Sequence, residues 1–380
     1  MNQKKTVNPL LDFSGLPRYG SVRPKHVASA IDQLLGENRA LIARLTAKAT
    51  VASWKEFADP LENANERLWR AWGVVAHLHA VEDSATIRGA YNANLPKITR
   101  YRTELAQNLQ LYEKFKALRA SMGFEELSQA QRKIVENDLR DYRLGGAELE
   151  PRNKLRFGEI QEELAALEAK FSENLLDATN AFSAVIADRG EVLGVPEDVL
   201  EAAKEAARQD GQEGWKFTLH APSYGPLMQY AENRDLRERL YRAHVTRASE
   251  FGNPELDNTS IIVRELRLRK EKARLLGYKS FAEFSLVPKM AESPEAVLDF
   301  LDDLAARALP HARKDYAELE EFARAELGIQ ELQAWDIAFA SEKLRAKRYA
   351  FSDQEVKRYF PEPKVQIGRA SCRERVCSVV

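Results

Sequence analysis

Residues 151–182 read PRNKLRFGEIQEELAALEAKFSENLLDATNAF. Within them Ile160, Leu164, Leu167, Phe171, Leu175, Ala178 and Phe182 stand 4, 3, 4, 4, 3 and 4 positions apart. That spacing holds them on one face of a helix with 3.6 residues per turn. Glu162, Glu163, Glu168 and Lys170 fall elsewhere on the wheel, so a long helix packed along a single stripe is expected. The segment is read as interior scaffolding, and its charges exclude a membrane span.

The same period recurs in both directions. Upstream, Pro24 opens a helix carrying Val27, Ile31, Leu34 and Leu35, continued by Leu41, Ile42 and Leu45. Trp54, Phe57, Leu61, Leu68, Trp72, Val75 and Leu78 mark a second, from Ser53 to about Val81. Ser84 is a cap for a third, in which Pro96 lacks a backbone donor. Ser128 and Gln131 have the spacing of a capping box before an Ile134/Leu139 helix, which Gly145-Gly146 closes. Residues 8–23, rich in Pro and Gly, read as an extended arm.

Downstream, Val185-Ile186 and Glu191–Leu193 flank Arg189-Gly190 and suggest a short strand pair. Pro196 starts a helix to about Ala207, and Trp215–His220 is the best strand candidate. A Pro-Ser-Tyr-Gly-Pro turn and a long charged amphipathic segment follow. Further helices are expected over Ile261–Leu276, stopped by Gly277, and after the Ser293-Pro294 cap, with Val297, Phe300, Leu301, Leu304 and Ala308 as the next apolar face. Trp335-Asp336 leads into another helix, and Ser352 with Glu355 forms a last capping box. No period of 20–50 residues repeats, so a regular solenoid is not supported. The fold expected is mainly α, with one or two small β elements.

The 380 residues are 44% apolar and 30% charged, with a net charge of −1, the balance of a globular protein without a basic surplus for a polyanion. No apolar run approaches the roughly 18 residues needed to span a bilayer. The start, MNQKKTVNPLLDF, has no apolar core behind its lysines and does not read as a secretory signal. The cysteines, Cys372 and Cys377, both lie in the last nine residues, so no disulfide framework is expected and a cytoplasmic location is.

Chemistry is hard to place. The histidines are His26, His77, His79, His220, His244 and His311. No two stand four apart, so the helical His-Glu-x-x-His zinc motif does not occur, and His77 and His79 diverge on a helix. No Gly-x-Ser-x-Gly elbow, GxGxxG or Walker loop is present. Ser223, between Pro222 and Tyr224, reads as a turn residue. Two basic clusters stand out, Arg234–Arg247 and Arg264–Arg274. Interspersed Glu232, Asp235, Glu238, Glu265 and Glu271 supply pairs at helical spacing, so salt-laced exposed helices are expected; a peptide-facing or subunit-facing surface is the second reading and nucleic-acid binding the last. No catalytic, cofactor-binding or metal-ligating residue is assigned.

From Ile367 the text becomes IGRASCRERVCSVV, basic and without helical period. A stretch of a common sequencing-library adapter encodes Ile367 to Val376 residue for residue. Residues 367–380 are accordingly expected to be non-native; without their three arginines and one glutamate the net charge is −3. A natural tail or a Cys-x4-Cys half-site is the alternative.

One stretch resembles a known family. Residues 217–249, FTLHAPSYGPLMQYAENRDLRERLYRAHVTRAS, are similar to the strand, Pro-x-Tyr turn, x-Met-x-Tyr-Ala segment and Leu-Arg-x-x-x-Tyr-x-Ala helix of the thimet-oligopeptidase family of zinc metallopeptidases. Asn8–Leu11, Phe171–Thr179, Lys289–Ala291, Trp335–Ile337 and Tyr359–Pro361 agree in the same order. The resemblance covers about residues 8–365. It implies a cytoplasmic endopeptidase that degrades oligopeptides in a channel between two mainly helical halves, with no nucleic-acid or membrane partner. It also implies one zinc, held by the two histidines of His-Glu-x-x-His and a later glutamate, which lowers the pKa of bound water towards 7.

In the family those ligands lie beyond the Tyr-Phe-Pro segment, so none is carried onto this sequence. The resemblance thus implies an arm at 1–23, a helical channel wall at 24–208, and the beginning of a peptidase core at 209–366, truncated before the zinc site and inactive as it stands. A non-enzymatic helical adaptor and the dipeptidyl carboxypeptidase branch of the same family are the other readings. Independent sequencing of the locus is expected to break the frame near Ile367; an uninterrupted frame to Val380 followed by a stop codon would overturn the adapter reading.

Overall fold

Apolar period and helix caps decide most of the architecture. A computed structural model describes residues 8–350 and 353–367. Helices α1 (Pro24–Leu45), α2 (Asp59–Val81), α3 (Ala85–Ala106), α4 (Leu109–Ala120), α5 (Gln129–Leu144) and α6 (Pro151–Ala181) come first. Strand β1 (Ser183–Ile186), α7 (Glu197–Gln209), strand β2 (Trp215–Thr218), α8 (Ala221–Tyr230) and α9 (Arg234–Val245) follow. Then come α10 (Thr259–Leu275), α11 (Phe281–Leu286), α12 (Pro294–Glu326), α13 (Ile337–Tyr349) and α14 (Asp353–Lys357). The protein is mainly α, with one two-stranded sheet among the described residues. No described helix is long and apolar enough to cross a membrane.

The chain forms two units, residues 8–171 with 260–297, and residues 172–259 with 298–367. In the first, Val27, Ile31, Leu34 and Leu35 of α1 pack on Leu68, Trp72, Val75 and Leu78 of α2 and on Ile98 and Tyr101 of α3. At the centre Asn38 donates to the Tyr101 hydroxyl (3.1 Å), which donates to Asn65 Oδ1 (2.8 Å), so the three helices share one satisfied polar network. The segment read as an arm is docked here. Asn8 caps a 3-10 turn at Pro9–Leu11 and donates to the His26 carbonyl (2.8 Å), which sets Leu10 into the core.

A second cluster joins Leu45, Phe57, Leu61, Leu111, Phe115, Val135 and Tyr142. The Ser128–Gln131 box starts α5, but its buried positions are Val135 and Tyr142, while Ile134 is exposed. Of the expected Ile134/Leu139 face, Leu139 packs on this cluster, while Val135 takes the place of Ile134. The third cluster sets Ile160 and Leu164 of α6 against Leu268 of α10.

In the other unit, β1 pairs antiparallel with β2, and Ala184 lies opposite Phe217 with both side chains buried. The expected partner of β1, Glu191–Leu193, is instead a 3-10 turn over Arg189–Val192. Gly214 explains the closeness of β2: at φ +99° it lets the backbone pass where a Cβ would come within 2.2 Å of the Ile186 carbonyl oxygen. The Pro-Ser-Tyr-Gly-Pro segment, read as a turn, is helical: it forms half of α8, with Pro226 inside. The second half of α6 departs from the single apolar stripe, burying Glu173, Asn174 and Thr179 while Leu175 is exposed. Asn174 there donates to Asn258 Oδ1 (2.9 Å).

Helix α12 runs through Pro310, and the face read as core is open: Phe300, Leu301 and Leu304 are 50–66% exposed, and Leu298 and Leu309 beside them are exposed too. Only near its end do Leu319 and Ala323 pack, against Leu332 and Ala340. Ser352 and residues 368–380, including Cys372 and Cys377, lie outside the described residues, so the last capping box and the tail gain no structural account.

Asp138 on α5 carries a testable consequence. Its Oδ2 is buried without a hydrogen-bond partner. Burial first, then the charges of Glu62 and Asp141, push its pKa up to about 8, against the opposing pull of Arg140. A folded pKa above the unfolded one means that its contribution is full below about pH 4 and is lost as pH rises through about 8. Asp138→Asn should flatten that part of the stability–pH profile and stabilise the fold by on the order of 2 kcal/mol at pH 8. Urea unfolding at pH 5 and pH 8 measures it, and an unchanged difference between the two pH values counts against a protonated Asp138.

Candidate functional site

A buried charged constellation lies in the second unit, where α9 meets the 3-10 turn Ala334–Asp336 that precedes α13. Asn233 caps α9 by accepting from the Leu236 N–H (3.1 Å). The helix period then places Arg237 on the same side as Leu236 and Leu240, and all three are buried. Asp336 is buried as well, held by the turn so that Gln333 N–H donates to its Oδ2 (3.1 Å).

Arg237 Nη2 donates to Asp336 Oδ1 at 2.8 Å and Arg234 Nη2 to Oδ2 at 2.8 Å. The remaining Arg237 donors reach the carbonyl oxygens of Ala231 (2.7 Å), Glu232 (3.2 Å) and Trp335 (3.2 Å). Its guanidinium carbon lies 4.1 Å from the Phe339 ring centroid. Burial pushes the Asp336 carboxyl pKa up, but hydrogen bonds from Arg234 and Arg237 outweigh it and leave it lowered. Burial likewise lowers the Arg237 pKa. Beside the pair opens a groove of about 900 Å³ lined by Arg234, Gln333, Trp335, Phe339 and Lys343 among others. Its cations Arg234, Arg237 and Lys343 are matched in number by the acids Glu232, Glu326 and Glu331, and Lys343 pairs with Glu232 at 3.8 Å.

This arrangement organises backbone; it does not assemble reactive groups. The expectation of solvated arginines over 234–247 holds for Arg242, which pairs with Glu238 at 2.7 Å, and fails for Arg237. Its spacing of three from Leu240 and four from Tyr241 was the available signal. The 264–274 cluster pairs mainly across helices: Arg264 with Glu163 of α6 (2.7 Å), and Arg269 with Glu168 (3.2 Å) and with Glu265 on its own helix (3.0 Å).

The histidines stay apart in role. His26 Nδ1 accepts from the Arg23 N–H (3.1 Å), His77 meets Tyr19 edge-on, and His79 stacks on Tyr91 with ring centroids 4.2 Å apart. His220 is the N-cap of α8, and His311 is exposed on α12. His244 stacks on Tyr224 at 4.2 Å with its Nε2 2.9 Å from Arg247 Nη2; burial and that charge lower its pKa. Ser223, read as a turn residue, lies inside α8 instead, and its Oγ accepts from the Thr218 N–H (3.0 Å), tying the end of β2 to that helix. Among the described residues no group of three or more His, Cys, Asp or Glu could hold a metal ion. The residues present do not fit a zinc site, and no step through zinc is derived from them.

Removing Asp336 strands a buried guanidinium. Asp336→Ala should cost about 3–5 kcal/mol in urea unfolding. The Arg237→Met/Asp336→Leu pair should cost less than the two single changes together, since neither buried charge is then left alone. Strict additivity would show that the pair is not coupled.

Two family models match the chain in order: Neurolysin/Thimet oligopeptidase, N-terminal domain, over residues 31–154, and Peptidase family M3 over residues 227–376. Oligopeptidase A of Haemophilus influenzae is 42% identical over 374 residues, covering 98% of this chain and 55% of the relative. Oligopeptidase A of Escherichia coli is 40% identical over the same shares. Dipeptidyl carboxypeptidase of Salmonella typhimurium is 27% identical over 366 residues, 93% of this chain and 53% of the relative. The chain spans about half the length of the curated relatives it matches. With both models of one family matched in sequence order and identities of 40–42% along nearly its whole length, the chain belongs to peptidase family M3, the thimet oligopeptidase family.

Proposed function

We propose that this chain is the N-terminal part of a zinc endopeptidase of the oligopeptidase A kind, which hydrolyses short peptides in the cytoplasm. The observation that carries this reading is the extent of the match: 98% of the chain aligns at 42% identity to 55% of one bacterial oligopeptidase A. The dipeptidyl carboxypeptidase reading has less support, with identities of 27% and 26%. A helical adaptor would leave the ordered match to a peptidase family without a reason.

The helical walls are proposed to bound a channel that admits oligopeptides and excludes folded proteins. The chain's own residues then act by positioning: Asp336, Arg234 and Arg237 hold the turn before α13 against α9. The open apolar face of α12 supports a larger protein, because contiguous exposed apolar surface of this kind is usually covered by a partner or a further part of the fold. Residues 367–380 are proposed to be non-native.

His-Glu-x-x-His occurs nowhere in the 380 residues. The purified 380-residue chain is therefore expected to retain no stoichiometric zinc on metal analysis and to leave a quenched fluorescent oligopeptide intact. Zinc-dependent cleavage by this chain, abolished by a chelator, would sink the proposal of inactivity. DNA following the Val365 codon that encodes His-Glu-x-x-His in frame would support the longer enzyme, and a genuine stop codon directly after Val365 would exclude it.

A further inference from the structure

We propose that the outer face of α10 is a docking groove for acidic, partly apolar peptide segments. Six cations fall between Arg264 and Arg274, and the structure separates them into two sets. Arg264 and Arg269 are held by Glu163, Glu168 and Glu265, and Lys272 lies with its ammonium 5.1 Å from the Phe284 ring centroid. Arg267, Lys270 and Arg274 are different. They stand three and four residues apart on one exposed face, together with Asn153 and Leu275 they line a groove of about 430 Å³, and no described carboxylate pairs with them.

The acid of that groove, Glu271, is held by the Arg156 fork at 2.6 and 2.9 Å, a guanidinium it shares with Glu159 at 3.0 Å, and it stands as one acid against the three cations of the lining. The groove therefore holds a net positive charge on a chain whose overall charge is −1. The same helix face continues towards its N-terminal end as apolar surface, with Ile262, Val263 and Leu266 44–60% exposed. Attraction to the negative end of the helix accounts for Arg274 in the last turn, but that effect fades within one turn and does not reach Arg267.

Charge complementarity and the apolar half of the face select the occupant. Carboxylates of an extended peptide would meet the three cations, and its apolar side chains would meet Val263 and Leu266. A nucleic acid is disfavoured, since three cations are fewer than the roughly 6–10 phosphate contacts of a typical binder, and the apolar half would face a charged backbone. The inference does not depend on the peptidase reading, because binding is measured without zinc or hydrolysis.

The test is fluorescence anisotropy with the full chain and three labelled probes: a peptide alternating Glu and Leu, one alternating Lys and Leu, and a single-stranded oligouridine of matched length. The Glu-Leu peptide is expected to bind most tightly, and more weakly as salt rises. The triple change Arg267→Ser, Lys270→Ser, Arg274→Ser should weaken it about tenfold or more, whereas Lys25→Ser, Lys48→Ser, Lys55→Ser, which removes the same charge elsewhere, should change it less than about twofold. If the groove triple fails to fold, as judged by its thermal melt, Arg267→Ser and Lys270→Ser singly should each weaken binding while the melt is unchanged. Equal loss in both triples, tighter binding of oligouridine, no effect of the folded single changes, or no binding of the acidic peptide by the unaltered chain would each overturn the proposal.

Discussion

The carboxylate of Asp336 is the constraint on which the second unit depends. A buried acid is tolerated only if its oxygens are fully met, because the desolvation penalty is several kcal/mol per ion. Here Arg237, Arg234 and the Gln333 N–H meet it. Arg237 in turn occupies the carbonyl oxygens of Ala231, Glu232 and Trp335. One ion pair therefore fastens the start of α9 to the turn before α13, across 99 residues of chain. The hydrophobic cluster of Ala184, Phe217, Leu227, Leu236 and Leu240 packs alongside this fastening.

The first unit uses another device. Its helices are joined by apolar stripes and by the neutral Asn38–Tyr101–Asn65 network, which avoids the cost of a buried ion pair. Where a charge position does enter the interior, at Asp138, the surroundings favour the protonated acid. Along α6 and α10 cross-helix pairs such as Arg156–Glu271 and Arg264–Glu163 frame the Ile160–Leu164–Leu268 contact, and the buried Glu265 of α10 is met by Arg269. Exposed pairs of this kind contribute little energy each, so they serve register more than stability.

The residues that carry the family resemblance in this chain are scaffold residues. The resemblance carried by residues 217–249 is structural in content: Phe217 and Leu240 are core, Ser223 ties the end of β2 to α8, and Arg237 holds Asp336. Trp335–Ile337, quoted only as a likeness, contains the partner that Arg237 needs.

Helices were legible because the signals for them are local. The stripe of α1, the Ser84 and Ser128 caps, the left-handed Gly277 and strand β2 each depend on residues within a few turns, and each is present. The tertiary structure decided what no local pattern contains. It paired β1 with β2 through the opening at Gly214, left the apolar face of α12 uncovered, turned α5 onto Val135, and separated paired from unpaired cations on α10. Period specifies which side of an element is apolar, but the partner of that side, and the burial of Arg237 or Asp336, are set by contacts between residues about a hundred positions apart, 99 for Arg237–Asp336 and 102 for Arg234–Asp336.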